Sequence, residues 1–161
     1  MPNWCSNVAR ISHPNPEMIQ RMISAATVDH VLQEFIPCPA ELLAGEGWYD
    51  WCVQNWGTKW DLVEVIVDTH DANNITLTFQ TAWAPPVEAY GTLESQGFVV
   101  EAYWYESGMM FCGIYEDGSA LDIEIEEATF EWAKDNIPRE LDEMFGIADE
   151  FAQWEAENED S

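Results

Sequence analysis

The chain has 161 residues, 47% of them hydrophobic, and carries 31 acidic against 5 basic side chains, a formal net charge of −26. Such a charge repels DNA, RNA and anionic membranes, so neither direct nucleic-acid binding nor membrane association is expected. The apolar fraction argues against disorder, and no run of about 18 apolar residues offers a membrane span.

The same charge attracts basic surfaces, including those by which proteins hold nucleic acid; plain solubility is the competing explanation. The opening MPNWCSNVARISHP has no basic start followed by an apolar block, so no secretory signal is expected. The cysteines at 5, 38, 52 and 112 include no C-x-x-C pair. They read as reduced, buried thiols of a cytoplasmic protein rather than as a disulfide framework. The length predicts one domain, residues 1–161.

Along the chain, NWCSNVARI predicts a first strand, with Trp4, Ser6, Val8 and Arg10 on one side and Cys5, Asn7, Ala9 and Ile11 on the other. HPNPEMIQRMISAA predicts a helix. Asn15 is its N-cap, Pro16 its first residue and Glu17 a match to the dipole, and Ile19, Met22, Ile23 and Ala26 form its apolar stripe. LQEFIPCPAELL reads as a short extended stretch stopped by Pro37 and Pro39. EGWYDWCVQNW reads as a compact helix ended by Gly57 in the left-handed region.

DLVEVIVDTHDANNITLTFQTAW predicts a hairpin. Val63, Val65 and Val67 share a face, HDANN supplies the turn, and Ile75, Leu77, Phe79 and Thr81 alternate with polar residues. APPVEAYGTLESQG predicts a helix from near Pro85 and Pro86 to Gly97. The turns ESG and EDG divide FVVEAYWY, MMFCGIY and SALDIEIE into a three-strand meander.

The chain closes on helical sequence. Leu141, Met144, Phe145, Ala148, Phe151 and Ala152 make an apolar stripe among carboxylates, and the last few residues are expected to fray. Strand, helix, strand, strand, helix, strand is the ferredoxin-like order. The predicted fold class is therefore α+β: an antiparallel βαββαβ sheet extended by the meander, helices on one face, and an acidic helical tail.

Six blocks in this order, MPNWCSNV, FIPCPAEL, NWGTKWD, FQTAWAPP, YWYESGMMFCGIYEDG and IPRELDEMFGI, resemble the YubB-type ferredoxin-like domain proteins of bacteriophages, prophages and conjugative plasmids. The resemblance spans nearly the whole chain. It implies a ferredoxin-like fold and a mobile-element accessory protein of a bacterial cytoplasm. It brings no established activity, and hence no catalytic residue.

WYDWCVQNWGTKWD places four tryptophans in fourteen residues. On a helix, Trp48, Trp51, Cys52 and Asn55 fall on one side, while Trp60 and Trp83 come to the same end of the hairpin. A structural aromatic cluster is the favoured reading. The functional alternative is a stacking platform for a ring-shaped ligand at Trp51, Trp56, Lys59, Trp60 and Trp83. Lys59 stands alone there among Asp50, Asp61 and Glu46, which disfavours nucleic acid. It is expected to pair with a carboxylate or to lie over an indole face.

His13, His30, His70 and the cysteines show no zinc spacing, and DTHDANN lacks the pattern of a calcium loop. No metal or other cofactor is expected. No nucleophile elbow, P-loop, H-E-x-x-H or dinucleotide fingerprint is present. Acid pairs such as Glu126/Glu127 are too abundant to single out a glycosidase-like pair, so a hydrolase is the weakest class.

Carboxylates crowd the C-terminal third. A row of them on a rigid surface can imitate the charges of a phosphate backbone, which recur every ~3.4 Å along a DNA strand. The expected partner face comprises Glu124, Glu126, Glu131, Asp135, Glu140, Asp142, Glu143, Asp149 and Glu150. The leading functional expectation is thus a non-enzymatic DNA mimic that blocks a basic nucleic-acid-binding protein of defence or DNA processing. The second is a small-ligand or metal-binding module using the tryptophan-rich end.

Overall fold

A computed structural model describes residues 3–159. The expected fraying of the terminus reaches residues 160 and 161, which lie outside the described residues. The elements run β1 (Trp4–Ser12), α1 (Pro16–Thr27), α2 (Val31–Phe35), α3 (Ala40–Leu43), α4 (Trp48–Asn55), β2 (Val63–His70), β3 (Asn74–Ala82), α5 (Val87–Ser95), β4 (Val99–Glu106), β5 (Phe111–Glu116), β6 (Ser119–Glu124), α6 (Phe130–Asn136), α7 (Arg139–Phe145) and α8 (Ile147–Glu159).

All six strands join one sheet in the order β2-β3-β1-β4-β5-β6, and every neighbouring pair is antiparallel. The first four strands in space are the ferredoxin-like arrangement, and β5 and β6 extend its β4 edge, as the meander predicted. Strand β1 is central. Trp4 stands opposite Ala82 of β3, and Ala9 lies between Leu77 and Ala102.

The period-2 pattern sorts the strand residues as expected. Cys5, Ala9 and Ile11 of β1, Ile75, Leu77 and Phe79 of β3, and Val100, Ala102 and Trp104 of β4 are buried together. They pack with Ile19, Met22 and Ala26 of α1 and with Ala89, Tyr90 and Leu93 of α5. The α1 start is the predicted one, with the Asn15 side chain accepting the Glu17 N–H at 3.0 Å.

Helices on one face describes this half of the molecule, and the structure extends it. Tyr103, Tyr105 and Cys112 point to the opposite face, where α6–α8 bury them with Ala133, Leu141, Ile147, Ala148 and Phe151. Consecutive residues of β4 therefore feed two separate cores, which is why YWY at 103–105 reads as a continuous apolar run. Gly113 is required at the centre of this region, because a Cβ there would stand 2.4 Å from the Trp104 ring and 2.5 Å from the Leu121 carbonyl oxygen. Gly113→Ala is expected to cost about 1–3 kcal/mol by overpacking, read by chemical denaturation.

The extended stretch expected over LQEFIPCPAELL is instead two short helices, α2 and α3. Asp61, nearly thirty residues away, accepts the N–H groups of Leu32 and Gln33 at 2.9 Å each and caps α2. Ile36, before Pro37, is non-helical at φ −138° and ψ 69°, so the pre-proline restriction ends α2 while the cap forms it.

No helix of the described residues is long and apolar enough to cross a membrane. The four cysteines are free and buried. Burial pushes the Cys52 thiol up to about 11 and those of Cys5 and Cys112 up to about 12, which makes them poor nucleophiles.

Candidate functional site

The tryptophan run divides between core and surface. Trp56 follows α4, and Gly57, at φ +83°, turns the chain out of the helix with its N–H on the Cys52 and Val53 carbonyls. The Trp56 indole is 3% exposed. Its N–H donates to the Ile36 carbonyl at 2.9 Å, and Trp51 meets it edge-on at 5.5 Å. These two rings are structural.

Trp60 goes the other way. Its ring lies 5.9 Å from that of Trp4, and Lys59 Nζ sits 4.8 Å above the Trp60 ring centroid, also within reach of Tyr49. Trp83 is 58% exposed at the end of β3, with φ +73°. Thr58 donates to the Ala82 carbonyl at 3.0 Å and holds the α4–β2 loop against that end of the sheet. The surface contacts therefore join Trp4, Trp60 and Lys59 rather than the run from Trp51 to Trp60, and Trp83 ends β3 beside Asn3, whose carbonyl accepts its N–H at 2.8 Å. Trp4 escapes a sequence reading confined to the tryptophan block. The ferredoxin-like strand order supplies the missing signal, because it pairs β1 with β3 and so brings Trp4 opposite Ala82.

The nine carboxylates of the expected face have different fates. Asp142 is buried: one oxygen accepts the Ala148 N–H at 2.8 Å and the other meets Lys134 Nζ at 3.0 Å. It serves the α7–α8 junction and does not belong to a contact surface. Glu140 pairs with Arg10 at 2.9 Å and Glu143 with Arg139 at 2.8 Å. Glu150 is half-buried beside Tyr105. Glu124 lies on β6 opposite Phe111, which packs on the α1/α5 core, so it faces away from the α6–α8 layer. Exposed and free of ion pairs near that layer are Glu126, Glu131, Asp135 and Asp149. A single row of nine is not what the fold builds.

All five cations are engaged within the chain. Arg10 bridges Glu101 and Glu140, Arg21 pairs with Glu34, Lys134 with Asp142, Arg139 with Glu143, and Lys59 covers the Trp60 ring. Among the described residues, the exposed acids beyond these form no ion pair with Lys or Arg. Among the described residues no three His, Cys, Asp or Glu side chains come together as a metal site requires.

The carboxylates differ in how they couple to folding. Burial raises Asp61 above its ordinary range despite three backbone N–H bonds, and burial likewise raises Glu150, opposed by the Tyr105 hydroxyl. The folded state holds these two protons more tightly than the unfolded chain, so their ionisation weakens the fold and acidification strengthens it. Glu140 has the opposite sign: hydrogen bonds from Arg10 and Tyr103 lower it, and its contribution is lost as pH falls through its lowered pKa. Mutual repulsion of the 31 acids adds to the first effect. The melting temperature is expected to rise from pH 7 to about 5 and to fall at more acidic pH, read by thermal unfolding in low-salt buffers.

Residues 56–150, more than half of the chain, match the model of the ferredoxin-like domain in Api92-like protein. The crystal structure of a protein api92 from Yersinia pseudotuberculosis is similar, at 19% sequence identity and a TM-score of 0.46 over 61% of this chain. The match spans 40% of the length of that structure. No curated protein matches this chain. The expected ferredoxin-like domain is shown, and the family matched is the Api92-like one rather than the YubB-type one of the resemblance.

Proposed function

Because the chain belongs to the family of Api92-like proteins with a ferredoxin-like domain, we propose that it works through its surface, as a non-enzymatic accessory protein of a mobile element in a bacterial cytoplasm. In this reading its uncompensated carboxylates dock onto the basic, nucleic-acid-binding surface of another protein and compete with DNA for it. One observation carries the proposal: all five Lys and Arg side chains are already engaged within the chain, which leaves most of the 31 acidic side chains without a cation partner. Bound basic surface would remove carboxylate self-repulsion and release counter-ions, a gain that salt erodes.

The contact residues are narrower than the sequence suggested: Glu126, Glu131, Asp135 and Asp149 in place of all nine. The test is immobilised chain exposed to nuclease-treated bacterial lysate at low salt. The proposal expects recovery of basic DNA-binding proteins, released by duplex DNA and by about 200 mM salt. Recovery of proteins that DNA does not displace contradicts it.

A second reading, a small-ligand site at the tryptophan end, is favoured by one feature. A cavity of about 190 Å³ lies beside Trp4 and is lined by Val63, Glu64 and Gln80, with the Trp60 ring nearby. A ring-shaped ligand there would quench Trp4 and Trp60, an effect that Trp4→Phe with Trp60→Phe would abolish, whereas docking at the α6–α8 acids would act on Trp132 and Trp154 and survive that replacement.

A further inference from the structure

We propose that the groove between the start of α5 and edge strand β6 receives a single arginine or lysine side chain of the partner, a deeper statement of the basic-partner reading above and dependent on it. The groove has a volume of about 550 Å³. Ala84, Pro85 and Val87 form one wall, Phe111 contributes from β5, and Asp122 and Glu124 stand on β6.

Strand geometry puts the two carboxylates side by side. Asp122 pairs across with Gly113 and Glu124 with Phe111, so both share the face that carries Trp104 and α5. Gly113 offers no side chain to fill the space in front of Asp122. Both acids are exposed, neither forms an ion pair among the described residues, and none of the five cations lines the groove. Strand β6 ends the sheet, so approach from solvent is open.

The chemistry selects the occupant. Arginine and lysine carry an apolar stem and a charged head. The stem matches Pro85, Val87 and Phe111; the head reaches two carboxylates, which the planar guanidinium can bond in parallel. A neutral apolar group would desolvate the acids without pairing them, and an anion would be repelled. The groove opens on the sheet face opposite the α6–α8 acids, so it gives the basic partner a second, localised contact separate from theirs.

The test uses hexa-arginine as the probe, titrated calorimetrically into the full chain at low salt. Asp122→Asn with Glu124→Gln is compared with Glu131→Gln with Asp135→Asn, which removes the same charge from α6. All four side chains are exposed, and circular dichroism checks the fold of both variants. The groove variant is expected to lose about tenfold in affinity and the α6 variant no more than about twofold. Equal losses overturn the groove and leave the charge-based reading intact. Failure of the unaltered chain to bind hexa-arginine overturns both. A groove variant that loses stability but no affinity would assign the two acids to the N-terminus of α5 and overturn the groove alone.

Discussion

Trp56→Ala is expected to remove about 3–5 kcal/mol of stability. The ring is almost wholly enclosed, and three elements meet on it. Its indole N–H ties the loop after α2 through Ile36, its own carbonyl accepts the Ala89 N–H of α5 at 3.3 Å, and Trp51 of α4 packs on it edge-on. Truncation leaves a cavity and strands the Ile36 carbonyl, so both the transfer and hydrogen-bond costs fall on one site. Trp56→Phe separates them. It keeps most of the ring and loses the hydrogen bond, at an expected cost of about 1–3 kcal/mol. Guanidinium denaturation followed by circular dichroism reads both. A small loss of stability in Trp56→Ala would return this residue to the surface cluster.

Asp142→Ala is the second large effect, expected at about 2–3 kcal/mol. The chain reverses between α7 and α8 at Gly146, which adopts φ +63° and donates its N–H to the Asp142 carbonyl at 2.7 Å. The Asp142 carboxylate then caps α8 through Ala148 and binds Lys134 of α6, so one residue links all three C-terminal helices. Alanine removes the cap and leaves the first turn of α8 with one N–H unpaired. Asp142→Asn keeps an acceptor for Ala148 and is expected to cost less than half as much. Lys134→Met should also destabilise, because it leaves a buried carboxylate without its cation. Unchanged stability in Asp142→Ala would place this side chain back among the solvent-facing acids.

Most of the fold was legible because its determinants are local. Alternation in β1 and β3, the Asn15-Pro16 start of α1, the HDANN turn and Gly97 after α5 each act within a few residues, and the strand order follows from them. What escaped depends on distance in sequence. Helix α2 forms because Asp61 returns to cap it, and nothing near Val31 records that. The β4 residues Tyr103, Trp104 and Tyr105 hide two opposed cores, since a strand buried on both faces has no alternation to read. Buried Glu106, which accepts the N–H groups of Gly108 at 2.5 Å and Met109 at 2.8 Å, looks in sequence like any other exposed acid.

The candidate site was less legible for the same reason. Counting carboxylates on α6–α8 could not distinguish Asp142, turned inward, from Asp135, turned outward, because both follow helical spacing. Nor could it show that Arg10, on β1, would reach across to Glu140. Lys59 was legible in part: the sequence offered a neighbouring carboxylate or an indole face, and it lies over Trp60, while Asp61 is taken up by backbone N–H groups.

The most direct measurement of the central claim compares two columns, one carrying the unaltered chain and one the Glu126→Gln, Glu131→Gln, Asp135→Asn, Asp149→Asn variant, loaded with the same lysate at low salt. If unpaired surface acids recruit basic DNA-binding proteins, the unaltered chain retains them, duplex DNA elutes them, and the variant retains at most about a tenth as much. Equal retention on both columns, with elution indifferent to DNA, would contradict the account.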